Sequence, residues 1–437
     1  MSMRDFIEKL DKDGELVRIK TPVSNELEIA SVLSTLDGKA VIFDDVRGFE
    51  TPVVGGVVSS RDLVAKALGC KKEEILQKMV HALNNPKKPE MVEKAPCQEV
   101  VEDEVDLDKI PFLLHKEKDG GKYISSAIVV IKDPDLGRNV CYHRMMIIGK
   151  DKLVARIVKN RGTDTALQKT KGDLEIAICI GNSVPVLLAA STSLPMGKDE
   201  FAMANALGEV KLVKCKTVDL EVPADCELVL EGVMTKEMHD EGPFLDLTET
   251  YDGIRKQPIV KIKKITHRKD YIYQALLPGK GEHKMLMGMP KEPTIFDEVN
   301  KVVKCKNVAI TPGGCSWLHS VIQIEKKNDD DGKKAIEAAF KGHGSMKHCI
   351  VVDDDIDLFN MEEVEWAIAT RFQADKDLIV MENKPGSSLD PSATNEEGKK
   401  TMAAKAGIDA TIPSDKDRED FIKTHYKKAD LKKYGVE

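Results

Sequence analysis

Ser126-Ala-Ile-Val-Val-Ile131 opens the part of the chain whose reading decides the fold. A short run rich in β-branched residues favours a strand. The pattern returns at Val140 to Ile148, Ile176 to Ile180, Val186 to Ala190, Leu228 to Val233 and Ile259 to Ile265. Asp133-Pro134, Gly181-Asn182 and Pro223-Ala-Asp225 punctuate these runs as turns. So many β segments at short intervals predict a barrel or sandwich, interrupted by one helix from about Asp199 to Leu207.

Outward from this middle region the chain alternates strand and helix. On the N-terminal side Val41-Ile-Phe43 reads as a strand, and Ser60 to Leu68 as a helix with a Ser or Arg-Asp start. A polar, Pro-containing connection runs from Asn84 to Pro96. On the C-terminal side Cys349-Ile-Val-Val-Asp-Asp-Asp-Ile-Asp357 is a buried strand ending in acids. A helix follows from Asn360 to about Phe372, with Asn360 as N-cap and Glu363 as its capping-box partner. With Leu378-Ile-Val-Met381 next, this strand–helix–strand predicts a parallel βαβ unit. Asp353-Asp-Asp355 could bind a metal, but its place at a strand end before a helix favours a structural role. The polar tail from Gly386 to Glu437 is expected to wrap onto another domain or subunit.

Composition narrows the class. At 437 residues the chain divides most naturally into two or three domains. Its 41% hydrophobic and 32% charged residues describe a soluble globular protein. A balance of 66 basic against 74 acidic residues argues against bulk nucleic-acid binding, and 5% aromatic content offers no stacking platform for bases. Nine cysteines without a Cys-x-x-Cys pair suit free thiols in a reducing cytoplasm. The N-terminus turns charged at once, and no apolar run is long enough to span a bilayer, so a cytoplasmic location and no membrane partner are expected.

Three segments could carry chemistry. Asp240-Glu-Gly-Pro-Phe-Leu-Asp246 sets Glu241 and Asp246 across a Gly-Pro turn, where neither helix nor ladder continues normally. Two neighbouring acids repel, so one tends to keep a proton that it can deliver in general acid catalysis. Arg138-Asn-Val-Cys-Tyr-His-Arg144 places Arg144 on a strand face shared with Val140, Tyr142, Met146 and Ile148. Such an arginine needs an anionic or electron-rich partner: a core acid, a phosphate or a flavin ring system. In Ala190-Ser-Thr-Ser-Leu-Pro-Met-Gly-Lys-Asp-Glu200 a strand runs into a loop of small hydroxyl residues and then a helix, a junction that offers N–H groups and hydroxyls to a phosphate. Asp199 and Glu200 in the first turn also serve as ordinary helix-start acids.

In this order the motifs resemble the UbiD-type decarboxylases. The matching pieces are Asn139-x4-Arg144, Ser191-Thr-Ser-Leu-Pro195 followed by Glu200, Leu230-Glu-Gly232 and Glu241-Gly-Pro-Phe-x-Asp246. Asp119-Gly-Gly-x-Tyr123 matches upstream, and Asp353-Asp-Asp355 and Gly407-Ile-Asp-Ala-Thr411 downstream. The resemblance implies an α/β (α+β) fold: an N-terminal α/β region (1–115), a split β-barrel that binds prenylated FMN (116–292) and a C-terminal α/β oligomerisation domain with tail (293–437). It implies a homo-oligomer that decarboxylates a small unsaturated carboxylic acid, with a flavin prenyltransferase supplying the cofactor. The cofactor phosphate would be held through Mn2+ or another divalent metal, with K+ nearby. By position Asn139 and Glu200 would be metal ligands. Cys141, Tyr142, Arg144 and the loop Thr192, Ser193, Leu194 and Pro195 would contact the cofactor, with Lys347 a further flavin contact. Arg144, Glu241 and Asp246 would form the catalytic network.

Two positions depart from the family pattern. The usual metal-ligand histidine is Asn160 here, in Lys159-Asn-Arg-Gly162, and an amide oxygen is a poorer ligand for a transition metal. The proton donor, often Glu, is Asp246. These departures resemble the archaeal branch of a modified mevalonate pathway, which converts trans-anhydromevalonate 5-phosphate to isopentenyl phosphate. The carboxylate would leave as CO2 near Arg144, and Asp246 would protonate the alkene carbon. A phosphorylated substrate needs further cations, and His143, Arg156, Lys159 or Arg161 could supply one, unless each is an exposed strand-edge charge. The rival readings are an aromatic-acid decarboxylase acting on a 4-hydroxybenzoate, and a non-catalytic subunit of a larger complex. Retention of Arg144, Glu241 and Asp246 together argues against the latter.

Overall fold

The computed structural model describes residues 1–395, 399–424, 426–427, 429 and 433. A four-stranded sheet near the N-terminus joins Leu16–Ile19, Ala40–Phe43, Val53–Gly55 and, from much later in the chain, Tyr273–Ala275. Its helix Arg61–Leu68 starts where the sequence places it, with Ser60 Oγ accepting from the Leu63 N–H.

The middle region is a nine-stranded sheet. Its order runs Tyr123–Ile124, Met145–Gly149, Lys152–Ala155, Arg255–His267, Leu228–Glu241, Leu174–Ile180, Ile128–Asp133 and Gly137–Tyr142, with Val100–Val101 added beside Arg255–His267. Every pairing in it is antiparallel. The last strand of that order connects to the second through His143 and Arg144 alone. Three Cα–Cα steps from Tyr142 to Met145 span at most about 11 Å, so the sheet must curl until its ends meet. The expected single strand from Val140 to Ile148 is therefore two strands with a corner, and Arg144 sits in the seam.

Other expectations are corrected too. Val186 to Ala190 is not a strand but lies within the helix Val184–Ser191, buried on all sides. An all-apolar run carries no periodicity to separate the two states, and Pro185 fits the first helical turn, where no amide donor is needed. The middle region is broken by the helices Gly162–Lys169, Val184–Ser191 and Glu200–Leu207, not by one.

The C-terminal sheet runs Cys305–Ile310, His319–Ile324, His348–Asp353, Met402–Ala410, Leu378–Pro385. The predicted parallel partners are not neighbours: Met402–Ala410 lies between them, parallel to His348–Asp353 and antiparallel to Leu378–Pro385. The parallel unit on adjacent strands is His319–Ile324, helix Asp331–Gly342, then His348–Asp353. Asn360 caps its helix, but Glu363 accepts from the Asp357 N–H and completes no capping box. Part of the polar tail is thus a sheet strand; residues 396–398, 425, 428, 430–432 and 434–437 of it lie outside the described residues. Asp353 and Asp355 both receive the fully buried Arg371, the structural role expected of the acid run.

Two hydrophobic cores are shared between the N-terminal elements and the middle sheet, one joining Phe6, Leu10 and Val64 to Leu188 and Phe201. The other joins Phe43 and Val53 to Ile176 and Leu230. The C-terminal sheet has cores of its own. All nine cysteines are free thiols.

Candidate active site

The seam brings together the two motifs expected to carry the chemistry. Arg144 sends Nε to Glu241 Oε1 at 2.9 Å and Nη2 to Glu241 Oε2 at 3.1 Å. Its Nη1 reaches Asp246 Oδ2 at 3.5 Å, and its guanidinium carbon stands 5.0 Å from the centre of the Phe244 ring. A third acid, Asp252, takes Nη2 at 3.0 Å. Sequence reasoning missed Asp252, although Phe244–Leu245 and Tyr251–Asp252 form a short hairpin that pairs Phe244 with Asp252. Arg156 and Arg255 also bind Asp252. Burial alone would raise the Asp252 pKa, but these arginines hold it below the usual carboxylate range. Burial likewise opposes the charge on Arg144, and Glu241 outweighs it, leaving the guanidinium pKa raised.

The three acids are not equivalent. Glu241 is wholly buried, with both oxygens on Arg144 and Oε1 also accepting from the Tyr123 hydroxyl at 3.2 Å. The Asp246 side chain is 23% exposed, and its arginine contact is the longest of the set. Asp246 Oδ1 accepts from the Leu247 N–H at 2.6 Å, which leaves Oδ2, with its long arginine contact, as the carboxylate oxygen least committed within the cluster. The Asp119-Gly-Gly motif buttresses this turn from behind: the Gly120 N–H donates to Pro243 O at 2.8 Å, and a Cβ on Gly120 would lie 2.3 Å from Gly242 O.

His283, at the start of the helix Gly281–Gly288, lies within range of the Asp246 charge. Its Nδ1 accepts from the Gly279 N–H at 3.0 Å, so the neutral ring carries its proton on Nε2. Burial pushes its pKa down, and the Asp246 charge pulls the other way. Glu249 ties the same helix to the acid turn through Lys280 at 2.9 Å and Lys284 at 2.7 Å.

Asn139 and Glu200 meet on the far side of the strand Gly137–Tyr142. Asn139 Nδ2 lies 3.4 Å from Glu200 Oε1, and the Val140 N–H donates to Glu200 Oε2 at 2.9 Å. No cationic side chain reaches Glu200 among the described residues, and burial raises its pKa to about 7. Its position is fixed by Arg138, which sequence reasoning left without a role. Arg138 grips Asp199, the N-cap of the helix Glu200–Leu207, at 2.6 and 3.2 Å and takes Glu221 at 2.8 Å. Asn160 lies on the adjoining loop: a Cβ on Gly162 would lie 2.7 Å from Asn139 Oδ1. The Asn160 side chain is exposed, and its backbone N–H donates to Asp164 Oδ2 at 2.8 Å.

A buried carboxylate short of positive charge, beside the half-buried Asn139 amide, is a donor set chemically compatible with a divalent cation. The Tyr142 hydroxyl is buried and has no hydrogen-bond partner among the described residues, so it is open to a polar group from outside the chain. Cys141 Sγ is 3.2 Å from His143 Nε2, and burial raises its pKa to about 12, so it is a thiol. His143 is held neutral: burial lowers its pKa to about 4, and its ring nitrogens engage Arg156 O and Thr163 Oγ1. It supplies no cation. In the hydroxyl loop Thr192 Oγ1 turns back to Leu188 O at 2.7 Å, while Ser193 Oγ receives Lys291 Nζ at 3.0 Å; Leu194 is half-buried and Pro195 exposed. Lys347 is engaged within the C-terminal unit, with Asp390 at 2.9 Å and Ser392 at 2.6 Å. Glu231 and Asp409, from the other matching motifs, accept local amide and hydroxyl hydrogens and are structural.

Known proteins share this chain's sequence pattern and fold. Over its length the chain matches the 3-octaprenyl-4-hydroxybenzoate carboxy-lyase N-terminal domain (residues 7–83), Rift-related domain (90–281) and C-terminal domain (284–410). It is 41% identical to the anhydromevalonate phosphate decarboxylase of Methanothermobacter thermautotrophicus, over 94% of this chain and 97% of that one. It is 44% identical to that of Methanosarcina mazei, over 94% and 96%. The UbiD-class enzyme HmfF from Pelotomaculum thermopropionicum, solved in complex with FMN, superposes with a TM-score of 0.93 at 37% identity, over 98% of this chain and 97% of that one. An evolved dimeric form of HmfF in complex with prFMN gives 0.88 at 36% identity, over 97% and 98%. With three consecutive domain models and full-length relatives in agreement, the chain belongs to the UbiD family of carboxy-lyases.

Proposed function

We propose that this protein decarboxylates trans-anhydromevalonate 5-phosphate to isopentenyl phosphate and CO2, using prenylated FMN. The observation that carries the reading is the unequal grip of Arg144 on its acids. Glu241 gives both oxygens to Arg144, whereas Asp246 touches it only through Oδ2 at 3.5 Å and is partly exposed. Five relatives of 35–44% identity bearing the name anhydromevalonate phosphate decarboxylase support the choice of substrate. The HmfF complexes support a flavin site in the curled sheet, which we read as a split β-barrel.

Asn139 and Glu200 would hold a divalent metal such as Mn2+, with K+ beside it and the cofactor phosphate against the Thr192 to Pro195 loop. Tyr142 and Cys141 would line the cofactor. When bound, prenylated FMN supplies the electron sink that carboxylate loss requires. The chain's own residues orient and protonate. Arg144 draws in the substrate carboxylate while Glu241 and Asp252 fix the guanidinium plane. Asp246 then delivers a proton to the carbon that lost CO2. His283, within range of the Asp246 charge, would return a proton to it. We further read the chain as a cytoplasmic homo-oligomer with boundaries near residues 115 and 292, supplied by a flavin prenyltransferase.

The test is a mass-balanced assay of protein co-produced with a flavin prenyltransferase. Offered trans-anhydromevalonate 5-phosphate and, separately, 4-hydroxybenzoate, it should form isopentenyl phosphate only with the prenylated cofactor. Turnover of the aromatic acid alone would reject the substrate and keep the roles of Arg144, Glu241 and Asp246.

A further inference from the structure

The hairpin that carries Asp246 has two faces, because successive residues of an extended segment point to opposite sides. Phe244, Asp246 and Asp252 all meet Arg144, at 5.0, 3.5 and 3.0 Å. Leu245 and its cross-strand partner Tyr251 therefore face away from the arginine. They help to line a cavity of about 580 Å³ on the back of the hairpin. The helix Glu28–Thr35 contributes Ala30 and Ser34 to it, and the loop before the helix Gly281–Gly288 contributes Leu277.

The lining is divided chemically. Leu245 and Leu277 are buried and apolar. Three lysines and one acid, Glu117, complete it. Lys280 is matched by Glu249, whereas Lys116 and Lys118 are exposed and have no carboxylate partner among the described residues. His115 points independently to a ligand. It is 5% exposed, and burial lowers its pKa to about 3, so the ring is neutral. Its Nε2 lies 3.4 Å from Ser125 Oγ, but its Nδ1 is buried without a hydrogen-bond partner among the described residues.

The cavity wall is packed directly against the Arg144 side. The His115 ring meets Phe244 edge-on at 5.6 Å, and Phe244 in turn lies under the Arg144 guanidinium. A Cβ on Gly279 would stand 3.2 Å from Asp246 O and 3.4 Å from Leu245 Cδ2. A molecule pressing on Leu245 thus acts on the backbone that holds Asp246.

We propose that this cavity is a second binding site for a small amphiphilic anion, with its anionic end at Lys116 and Lys118 and a short hydrocarbon chain along Leu245 and Leu277, and that its occupant tunes turnover through the hairpin. The effect on turnover rests on the proposed role of Asp246; the binding site does not. Holoprotein would be titrated calorimetrically with hexyl phosphate, inorganic phosphate and hexanol, and crystallised with 6-bromohexyl phosphate to locate the bromine by anomalous scattering. Hexyl phosphate should bind about tenfold or more tightly than either fragment. Ser34→Trp, which fills the cavity, and the double variant Lys116→Gln/Lys118→Gln should each weaken it about tenfold, and the bromine should lie against Leu245. Equal affinity in both variants, or bromine only on the Arg144 face, would overturn the site. Saturating hexyl phosphate should change the wild-type kcat about fivefold and leave that of Ser34→Trp unmoved. A competitor at the substrate site would raise KM alone, and an unchanged wild-type kcat would overturn the coupling. Should the wild type turn over no unsaturated acid, the functional reading falls, while calorimetry and the bromine position still decide the site.

Discussion

The two ends of the site are built on opposite electrostatic plans. Around Arg144 the protein completes its own charge balance, with Glu241, Asp246 and Asp252 against Arg144, Arg156 and Arg255. Around the strand Gly137–Tyr142 it does not: among the described residues Glu200 meets only amide donors. The first plan suits groups that must keep fixed geometry while one of them moves a proton. The second suits groups whose partners come from outside the chain.

The largest expected effect falls on the self-balanced end. Arg144→Met leaves buried carboxylates without their shared cation and should cost about 3–5 kcal/mol of stability, measured by urea unfolding, together with turnover. A stability change near zero would mean that the acids are balanced by Arg156 and Arg255 alone.

The open end should respond to pH and metal instead. Glu200 must lose its proton to bind a cation, and its pKa lies near 7. Metal affinity should therefore fall about tenfold per pH unit below 7 and level off above it, read by titrating metal into chelator-stripped protein. The sign reverses for the metal-free fold. Because burial penalises the ionised Glu200, the stripped protein should lose stability as pH rises from the ordinary glutamate range through 7. A pH-independent metal affinity would remove Glu200 from the ligand set.

A smaller effect belongs to Arg138. Arg138→Met releases Asp199 and lets the first turn of the Glu200 helix shift, so flavin retention should drop about tenfold while the Arg144 cluster stays intact. Unchanged retention would show that the Glu200–Val140 contact positions the helix alone.

Local signals were readable in the sequence because their physics is local. Ser60, Asp199 and Asn360 all cap helices where their side chains can meet a free N–H. Pairing was harder. The corner at His143–Arg144 carries neither Gly nor Pro, so nothing in that stretch marks the end of a strand. The insertion of Met402–Ala410 beside His348–Asp353 depends on residues about fifty positions downstream. The site divides the same way. Motif order singled out Arg144, Glu241 and Asp246, whereas Asp252 comes beside them through a hairpin register and His283 from a helix later in the chain. No spacing rule reports that kind of proximity.

The most direct test of these roles is the Asp246→Asn variant, assayed for turnover of trans-anhydromevalonate 5-phosphate and for bound prenylated flavin in the same preparation. Turnover should fall by about 10²–10⁴-fold with flavin content equal to the wild type, because the two plans are separate. Turnover within a few-fold of the wild type would contradict Asp246 as the proton donor, and loss of flavin would contradict the separation.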